Sequence, residues 1–192
     1  MKIFFGILSS LFIFFGFFPY IFDIHKRKIQ PQFFSWFGWG LLTLIGGIAT
    51  IADIPTWGAV ILFTNSFVCF FAAFYSWYKK VAVFKTSKYD YIFIFSGLLG
   101  LVFWKITGNP DIAIIFAIIA DFSFGILTII KTYKIPESET KLSWLMAVLS
   151  GLASLFAISY ISFTEIGYPI YLFVYDFIMF LIVYKFIFRK ES

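Results

Sequence analysis

Three polar side chains interrupt long apolar runs of the sequence and are the residues that could do chemistry there. Asp176 lies about ten residues into the run 167–188, Asp121 lies about eleven residues into the run 110–130, and Asn65 lies in a third run. An ionisable group in such surroundings is costly unless it contacts a polar cavity or a partner. Each residue therefore has two interpretations, a member of a binding pocket or a hydrogen bond between neighbouring helices.

Tryptophans accompany these polar residues. Trp36 and Trp39 open one apolar run and Trp144 opens another, while Trp57 and Trp104 lie near the opposite ends of runs. A flat ring beside a polar group suits a sugar, a nucleoside or an aromatic amine, and for a cation the rings and Asp176 would both be stabilising. The alternative is that these residues anchor helices at a membrane interface.

Other chemistry is not supported by the residue types. Cysteine and histidine occur once each, as Cys69 and His25, so the chain cannot form an internal disulfide, a zinc site or a Ser-His-Asp set. There is no glycine loop for a nucleotide. We therefore expect no enzyme activity, no cofactor and no metal, although Asp121 and Asp176 leave a carboxylate pair conceivable.

The composition indicates an integral membrane protein. Hydrophobic residues make up 61% of the 192 residues, charged residues 13%, and the mean hydropathy is +0.95, against roughly 25% charged residues in soluble domains. Runs of about 20 apolar residues predict membrane-spanning helices rather than barrel strands. Seven such helices are predicted, at 3–22, 33–52, 56–78, 91–107, 110–130, 142–162 and 167–188. The first is retained as a helix because no small-residue cleavage site precedes Pro19 and Asp23.

The basic residues predict the orientation. Of the 15 Lys and Arg residues, all but Lys2 and Lys105 fall in the loops after the first, third and fifth helices or near the C-terminus. This bias predicts an outside N-terminus and a cytoplasmic C-terminus in a bacterial inner membrane. The basic residues then serve topology, and no nucleic acid partner is expected. Glu137 and Glu139 are interpreted as solvated loop charges.

The sequence repeats itself. A shift of 108 residues aligns the first two helices with the fifth and sixth, and a shift of 111 aligns the third with the seventh; the matched pairs are Phe14/Phe122, Lys26/Lys134, Ser35/Ser143, Trp36/Trp144, Leu41/Leu149, Ala49/Ala157, Trp57/Tyr168, Asn65/Asp176 and Lys79/Lys190. The prediction is a 3+1+3 arrangement. Residues 1–80 form one three-helix bundle, 81–109 a linker helix and 110–192 a second, parallel bundle.

With this layout the chain resembles the SWEET, SemiSWEET and PQ-loop superfamily of membrane transporters. The likeness covers nearly the whole chain and includes the stretch from Pro19 to Lys28 that closes the first helix. Nicotinamide-riboside-type vitamin transporters and bacterial membrane proteins of this layout are also similar. The resemblance implies a central pocket with polar residues from the third and seventh helices, here Asn65 and Asp176, and a hinge at Pro19. Leu127 replaces the second hinge proline, and an aspartate at 176 argues against a neutral sugar.

The expected function is a facilitator or proton-linked carrier for a small polar solute, a sugar, vitamin, nucleoside or amine. Its expected site comprises Asn65, Asp176, Asp121, Trp36, Trp39 and Trp144. The glycines of the second helix and Ser150, Gly151 and Ser154 of the sixth are expected to allow close helix packing. The alternative is a receptor, scaffold or assembly factor of the same layout, and homo-oligomerisation is left open. A carrier requires a water-accessible pocket at Asn65 and Asp176, whereas a scaffold can be packed solid there.

Reporter fusions test the orientation. A reporter fused after Ser192 is expected to be active only when it is of the cytoplasmic type, and one fused before Met1 only when it is of the periplasmic type. Cytoplasmic activity at both ends would imply an even number of spans and contradict the predicted count of seven.

Overall fold

The chain folds as helices. In the computed structural model, which describes residues 1–53, 58–84, 91, 95, 99, 102–103 and 105–185, there is no strand, only an isolated bridge between Gln32 and Val83. The described helices are α1 (Lys2–His25), α2 (Phe33–Asp53), α3 (Gly58–Tyr78), α4 (Pro110–Lys134), α5 (Lys141–Ala157) and α6 (Phe163–Val183), with a short 3-10 turn at Pro136–Ser138. The all-helical prediction is therefore confirmed for this part of the chain.

Three of the described helices are long and apolar enough to cross a membrane. They are α1, the 114–134 part of α4, and α6, whereas the apolar stretches Phe33–Ile48 of α2 and Lys141–Ala157 of α5 are shorter. Most of the linker helix predicted at 91–107, together with Trp57 and Trp104, lies outside the described residues.

The boundary between α5 and α6 differs from the prediction. The sequence pattern extended one helix to residue 162 and started the next at 167, but α5 ends at Ala157 and α6 begins at Phe163. Ser162 caps α6 by accepting a hydrogen bond from the Glu165 backbone N–H at 3.3 Å. Glu165 Oε2 in turn accepts from the backbone N–H groups of Ser159 and Tyr160 at 2.8 and 2.7 Å. These bonds satisfy the backbone N–H groups of the turn and so stabilise it. A prediction from hydropathy alone does not detect such bonds, and it therefore misplaced the end of α5 and the start of α6.

Within the described residues, helix packing follows the same pattern in two triplets of helices. In the first triplet α3 packs against both α1 and α2, and in the second triplet α6 packs against both α4 and α5. The triplets meet through α1 against α5 and through α2 against α4. Exchanging α1, α2 and α3 for α4, α5 and α6 maps each of these pairings onto another.

Serine hydroxyls join α1 to α5. The Ser9 hydroxyl donates to the Ser150 carbonyl, and the Ser150 hydroxyl donates to the Ser9 carbonyl, both at 2.8 Å. About two turns further along α1, the Ser143 hydroxyl donates to the Gly16 carbonyl at 2.7 Å. Small side chains let the two backbones approach closely enough for these bonds. The expected close packing at Ser150 thus also provides hydrogen bonds between helices.

The corresponding contact of α2 with α4 is aromatic. A Cβ atom on Gly38 would lie 2.9 Å from Cε2 of Phe124, a side chain that is almost completely buried. The Phe124 ring therefore occupies the space that a side chain at position 38 would need. Two equivalent pairings of the triplets are thus made by different chemistry, hydroxyl bonds on one side and a ring packed on glycine on the other.

Gly16→Ala is expected to lower the stability of the protein by about 1–3 kcal/mol. The added Cβ would lie 2.6 Å from Met146 Cβ, which cannot move without shifting the α5 backbone. Gly46→Ala is the matched control, because its Cβ would meet Leu62 Cδ1 at an ordinary 3.7 Å. Thermal unfolding in detergent measures both variants, and an equal effect of the two substitutions would contradict the proposed close contact.

Candidate functional site

A cavity of about 120 Å³ lies between the two triplets, and all six described α-helices contribute to its wall. Every residue that the sequence singled out for a binding site lines this cavity: Trp36, Trp39, Asn65, Asp121, Trp144 and Asp176. These residues come from five helices and span 140 positions between Trp36 and Asp176. Tertiary packing therefore brings them together around one space.

The two aspartates of the cavity have different surroundings. Asp121 on α4 is buried, and its Oδ2 accepts a hydrogen bond from the Tyr168 hydroxyl of α6 at 2.6 Å. Asp176 on α6 is only half-buried and makes no hydrogen bond to any residue in the described part of the chain. Asp121 is thus held by a neighbouring helix, whereas Asp176 lines the cavity without a hydrogen-bond partner among the described residues.

Asn65 is the polar residue that α3 contributes to the cavity. Its Oδ1 is 3.8 Å from the Cys69 thiol one turn along the same helix, a long and weak contact. Cys69 itself is buried and belongs to the cavity wall. An Asn amide has two donors and two acceptor sites, so most of the capacity of Asn65 remains for other partners.

Aromatic rings form a continuous row in the cavity wall. The ring centroids of Tyr20 and Trp36 are 4.5 Å apart, and those of Trp36 and Trp39 are 5.6 Å apart. The row continues to Tyr175, whose centroid is 6.2 Å from Trp39 and 6.1 Å from Trp144. These separations are typical of interacting aromatic pairs. Trp36 and Trp144 therefore take part in a packed aromatic wall, whatever contact they make with a membrane interface.

The indole N–H groups of this wall differ in their partners. Trp144 Nε1 donates to Glu139 Oε2 at 3.2 Å. Trp39 is only 7% exposed, yet its Nε1 is among the few buried polar atoms of the described residues that lack a hydrogen-bond partner. An unsatisfied buried donor is uncommon in folded proteins. The Trp39 indole is thus a polar group of the site for which the described protein atoms supply no acceptor.

The surroundings of Glu139 differ from the prediction that Glu137 and Glu139 are solvated loop charges. Its side chain is only 3% exposed and pairs with Lys131 at 2.6 Å while it accepts the Trp144 bond. Glu137 does lie at the surface, where a hydrogen bond from Lys185 at 2.6 Å lowers the pKa of its carboxyl group. The prediction of solvated charges is therefore wrong for Glu139, because its carboxylate is buried between Lys131 of α4 and Trp144 of α5 and bonds to both.

The cavity is acidic. Asp121 and Asp176 are its carboxylates, and none of the described residues that line it is Lys, Arg or His. Three His, Cys, Asp or Glu side chains suitable for holding a metal ion do not occur together anywhere in the described part of the chain. The remaining wall is largely apolar, with the serine hydroxyls of α5 as additional polar groups.

Several wall residues were not singled out from the sequence. Tyr20 and Tyr175 complete the aromatic row, and both are next to residues that drew attention, Pro19 and Asp176. Pro169 lies within α6 and lines the cavity, so the second half does contain a helix proline, although on a different helix from the one implied by the resemblance. Pro19 itself lies within the unbroken α1 and is not part of the wall. Its hinge role stays a prediction.

No family model, curated protein or solved structure matches this chain.

Tyr168→Phe is expected to lower stability by about 1–2 kcal/mol, because it leaves the buried Asp121 carboxyl without its donor. Tyr160→Phe removes a hydroxyl from a side chain that is 58% exposed and serves as the control. Thermal unfolding of the purified variants distinguishes the two cases. An unchanged unfolding temperature for Tyr168→Phe would show that the Asp121 contact contributes nothing to folding.

Proposed function

We propose that the chain is a carrier of a small polar solute, either a facilitator or a proton-linked carrier, with its binding site in the cavity between the triplets. The observation that carries the proposal is the joint presence of Asn65, Asp121, Asp176 and three tryptophans around this cavity. A carrier needs polar groups that the protein itself leaves unsatisfied, since the solute must replace its lost water there.

The proposed arrangement in the membrane is the 3+1+3 layout, with seven spans, an outside N-terminus and a cytoplasmic C-terminus in a bacterial inner membrane. Two observations support it. The helix pairings of the first triplet recur in the second, as parallel repeats require, and the positive charges are strongly asymmetric. The proposed relationship to the SWEET, SemiSWEET and PQ-loop transporters follows from the same layout.

Alternating access would come from movement of one triplet against the other. The α1–α5 and α2–α4 pairings are the surfaces that would slide or open, and the cavity lies between the helices that form them. Pro19 in α1 and Pro169 in α6 each remove one backbone hydrogen bond of their helix. Both positions are therefore places where a helix bends at low cost.

A receptor, scaffold or assembly factor would use the same layout without needing a solute site. Such a protein can be packed solid at Asn65 and Asp176, whereas here both residues line a cavity together with Trp39, whose indole N–H has no acceptor among the described residues. A solute that enters the cavity can become the partner of these groups, and this favours a carrier.

Asp176→Asn tests the proposal. A thermal-shift screen of the purified protein against sugars, vitamins, nucleosides and amines first identifies a stabilising ligand, and its uptake is then measured in proteoliposomes over a range of pH. We expect Asp176→Asn to fold and insert normally, because shape and hydrogen bonding are kept, but to lose uptake or its dependence on pH. Glu137→Gln removes the same charge from an exposed position and is expected to leave uptake unchanged. Wild-type uptake with an unchanged pH profile in Asp176→Asn would assign the carboxylate a structural role.

A further inference from the structure

We infer that the solute is a small organic monocation, an amine or quaternary ammonium compound of about the size of benzene. The inference deepens the proposed function, because it concerns the same cavity and names the chemical class that the cavity selects. Three observations support the inference: the size of the cavity, the sign of its charges and the composition of its wall.

The volume of the cavity limits the solute to a few heavy atoms. At about 120 Å³ it is slightly smaller than a cavity of roughly 150 Å³ that admits one benzene molecule. It is also well below the roughly 300–1,000 Å³ of pockets for drug-sized ligands. Nucleosides and the larger vitamins therefore do not fit the cavity in this conformation.

The charges of the wall favour a positive solute. Asp121 and Asp176 line the cavity and no described wall residue carries positive charge. A carboxylate in an apolar interior needs a cation or several hydrogen-bond donors. Asp121 has a donor in Tyr168, whereas Asp176 has none among the described residues. A cationic nitrogen beside Asp176 would supply the missing partner, and an anionic solute would be repelled.

The rings of the wall select an organic cation. The row of Tyr20, Trp36, Trp39, Tyr175 and Trp144 gives a cation aromatic surfaces to approach, and tryptophan is the strongest cation–π partner among the side chains. A hard metal ion would instead need a shell of oxygen ligands, and the described residues contain no such group of carboxylates.

A neutral polyol is the main competitor, because aspartate and tryptophan also bind sugars. A polyol carries hydroxyl groups on all sides, and each one needs a partner when it is buried. Much of this wall is aliphatic, with Ile13, Leu62, Val68, Ala147 and Leu172 facing the space. An alkylammonium ion presents its polarity at one atom and apolar groups elsewhere, so it matches a wall with few polar groups.

The test compares a cation with its uncharged isostere. Choline and 3,3-dimethylbutan-1-ol have the same shape and differ only in a charged nitrogen replaced by carbon, and butylamine adds a primary ammonium. Binding to the purified full chain in detergent is followed by isothermal titration and by tryptophan fluorescence. We expect choline or butylamine to bind at least about tenfold more tightly than the neutral isostere.

Two sets of variants test whether residues of the cavity wall cause the preference for a cation over its neutral isostere. Asp176→Asn is expected to abolish most of the discrimination between cation and isostere, whereas Glu137→Gln at the surface leaves it unchanged. Trp36→Phe keeps a ring and is expected to retain more cation binding than Trp36→Leu, which has a similar bulk without a ring. Trp77→Leu, at a 58% exposed position outside the cavity, is the control for loss of a tryptophan.

Uptake in proteoliposomes separates this inference from the proposed function. Selective binding of a cation with no uptake would overturn carriage and leave the cation site intact. Uptake of a small neutral polyol, with no preference for either cation over the isostere, would overturn the cation inference and leave carriage intact. If neither cation binds, the inference is wrong irrespective of any transport that is observed.

Discussion

Polar groups inside an apolar helix bundle have to be satisfied by other protein groups, and much of this structure follows from that constraint. In the second triplet, three side chains of α6 donate to α4. Thr164 bonds to Asp111 at 2.6 Å, Tyr168 to Asp121 at 2.6 Å and Tyr175 to the carbonyl of Gly125 at 3.1 Å. These bonds hold α6 in register on α4, and they decide which face of α6 carries Asp176 into the cavity. Asp176 and the Trp39 indole, which line the cavity, are not part of this network.

The two triplets are alike in arrangement and unlike in chemistry. The first contains ring contacts, such as the edge-to-face pair of Phe17 and Phe71 at 5.2 Å, and two polar contacts: His25 bonds to the Tyr75 hydroxyl at 2.8 Å, and the Ser66 hydroxyl donates to the Gly40 carbonyl at 2.8 Å. Between the triplets, hydroxyl bonds join α1 to α5, while a phenylalanine ring packs on glycine where α2 meets α4. A directional bond resists sliding more than an apolar contact does. If the triplets move against each other, the aromatic contact is the easier of the two to change.

The two buried tryptophans of the aromatic row, Trp144 and Trp39, are held in different ways. Glu139 is buried, paired with Lys131 and bonded to the Trp144 indole, so this tryptophan is fixed at its polar atom. Trp39, by contrast, is fixed only by packing, with its indole N–H unpaired among the described residues. The wall therefore contains one indole held by a hydrogen bond at the end of the row and, in the middle of the row, one indole N–H without a partner among the described residues.

The sequence by itself determined the helices, because a run of about 20 apolar residues has no other stable form in lipid. It also indicated which residues to consider for a candidate site, because Asp176, Asp121 and Asn65 are costly in such runs unless they contact a polar space or pair with a neighbour. Tertiary structure alone decided that Asp121 lines the cavity while it accepts a bond from Tyr168, whereas Asp176 lines the cavity without a hydrogen-bond partner among the described residues. It also decided the burial of Glu139, the place of Pro169 in the wall and the ends of α5 and α6. Hydropathy reports depth along one helix, whereas these features depend on which residues of distant helices come within hydrogen-bonding distance, and that is set by packing.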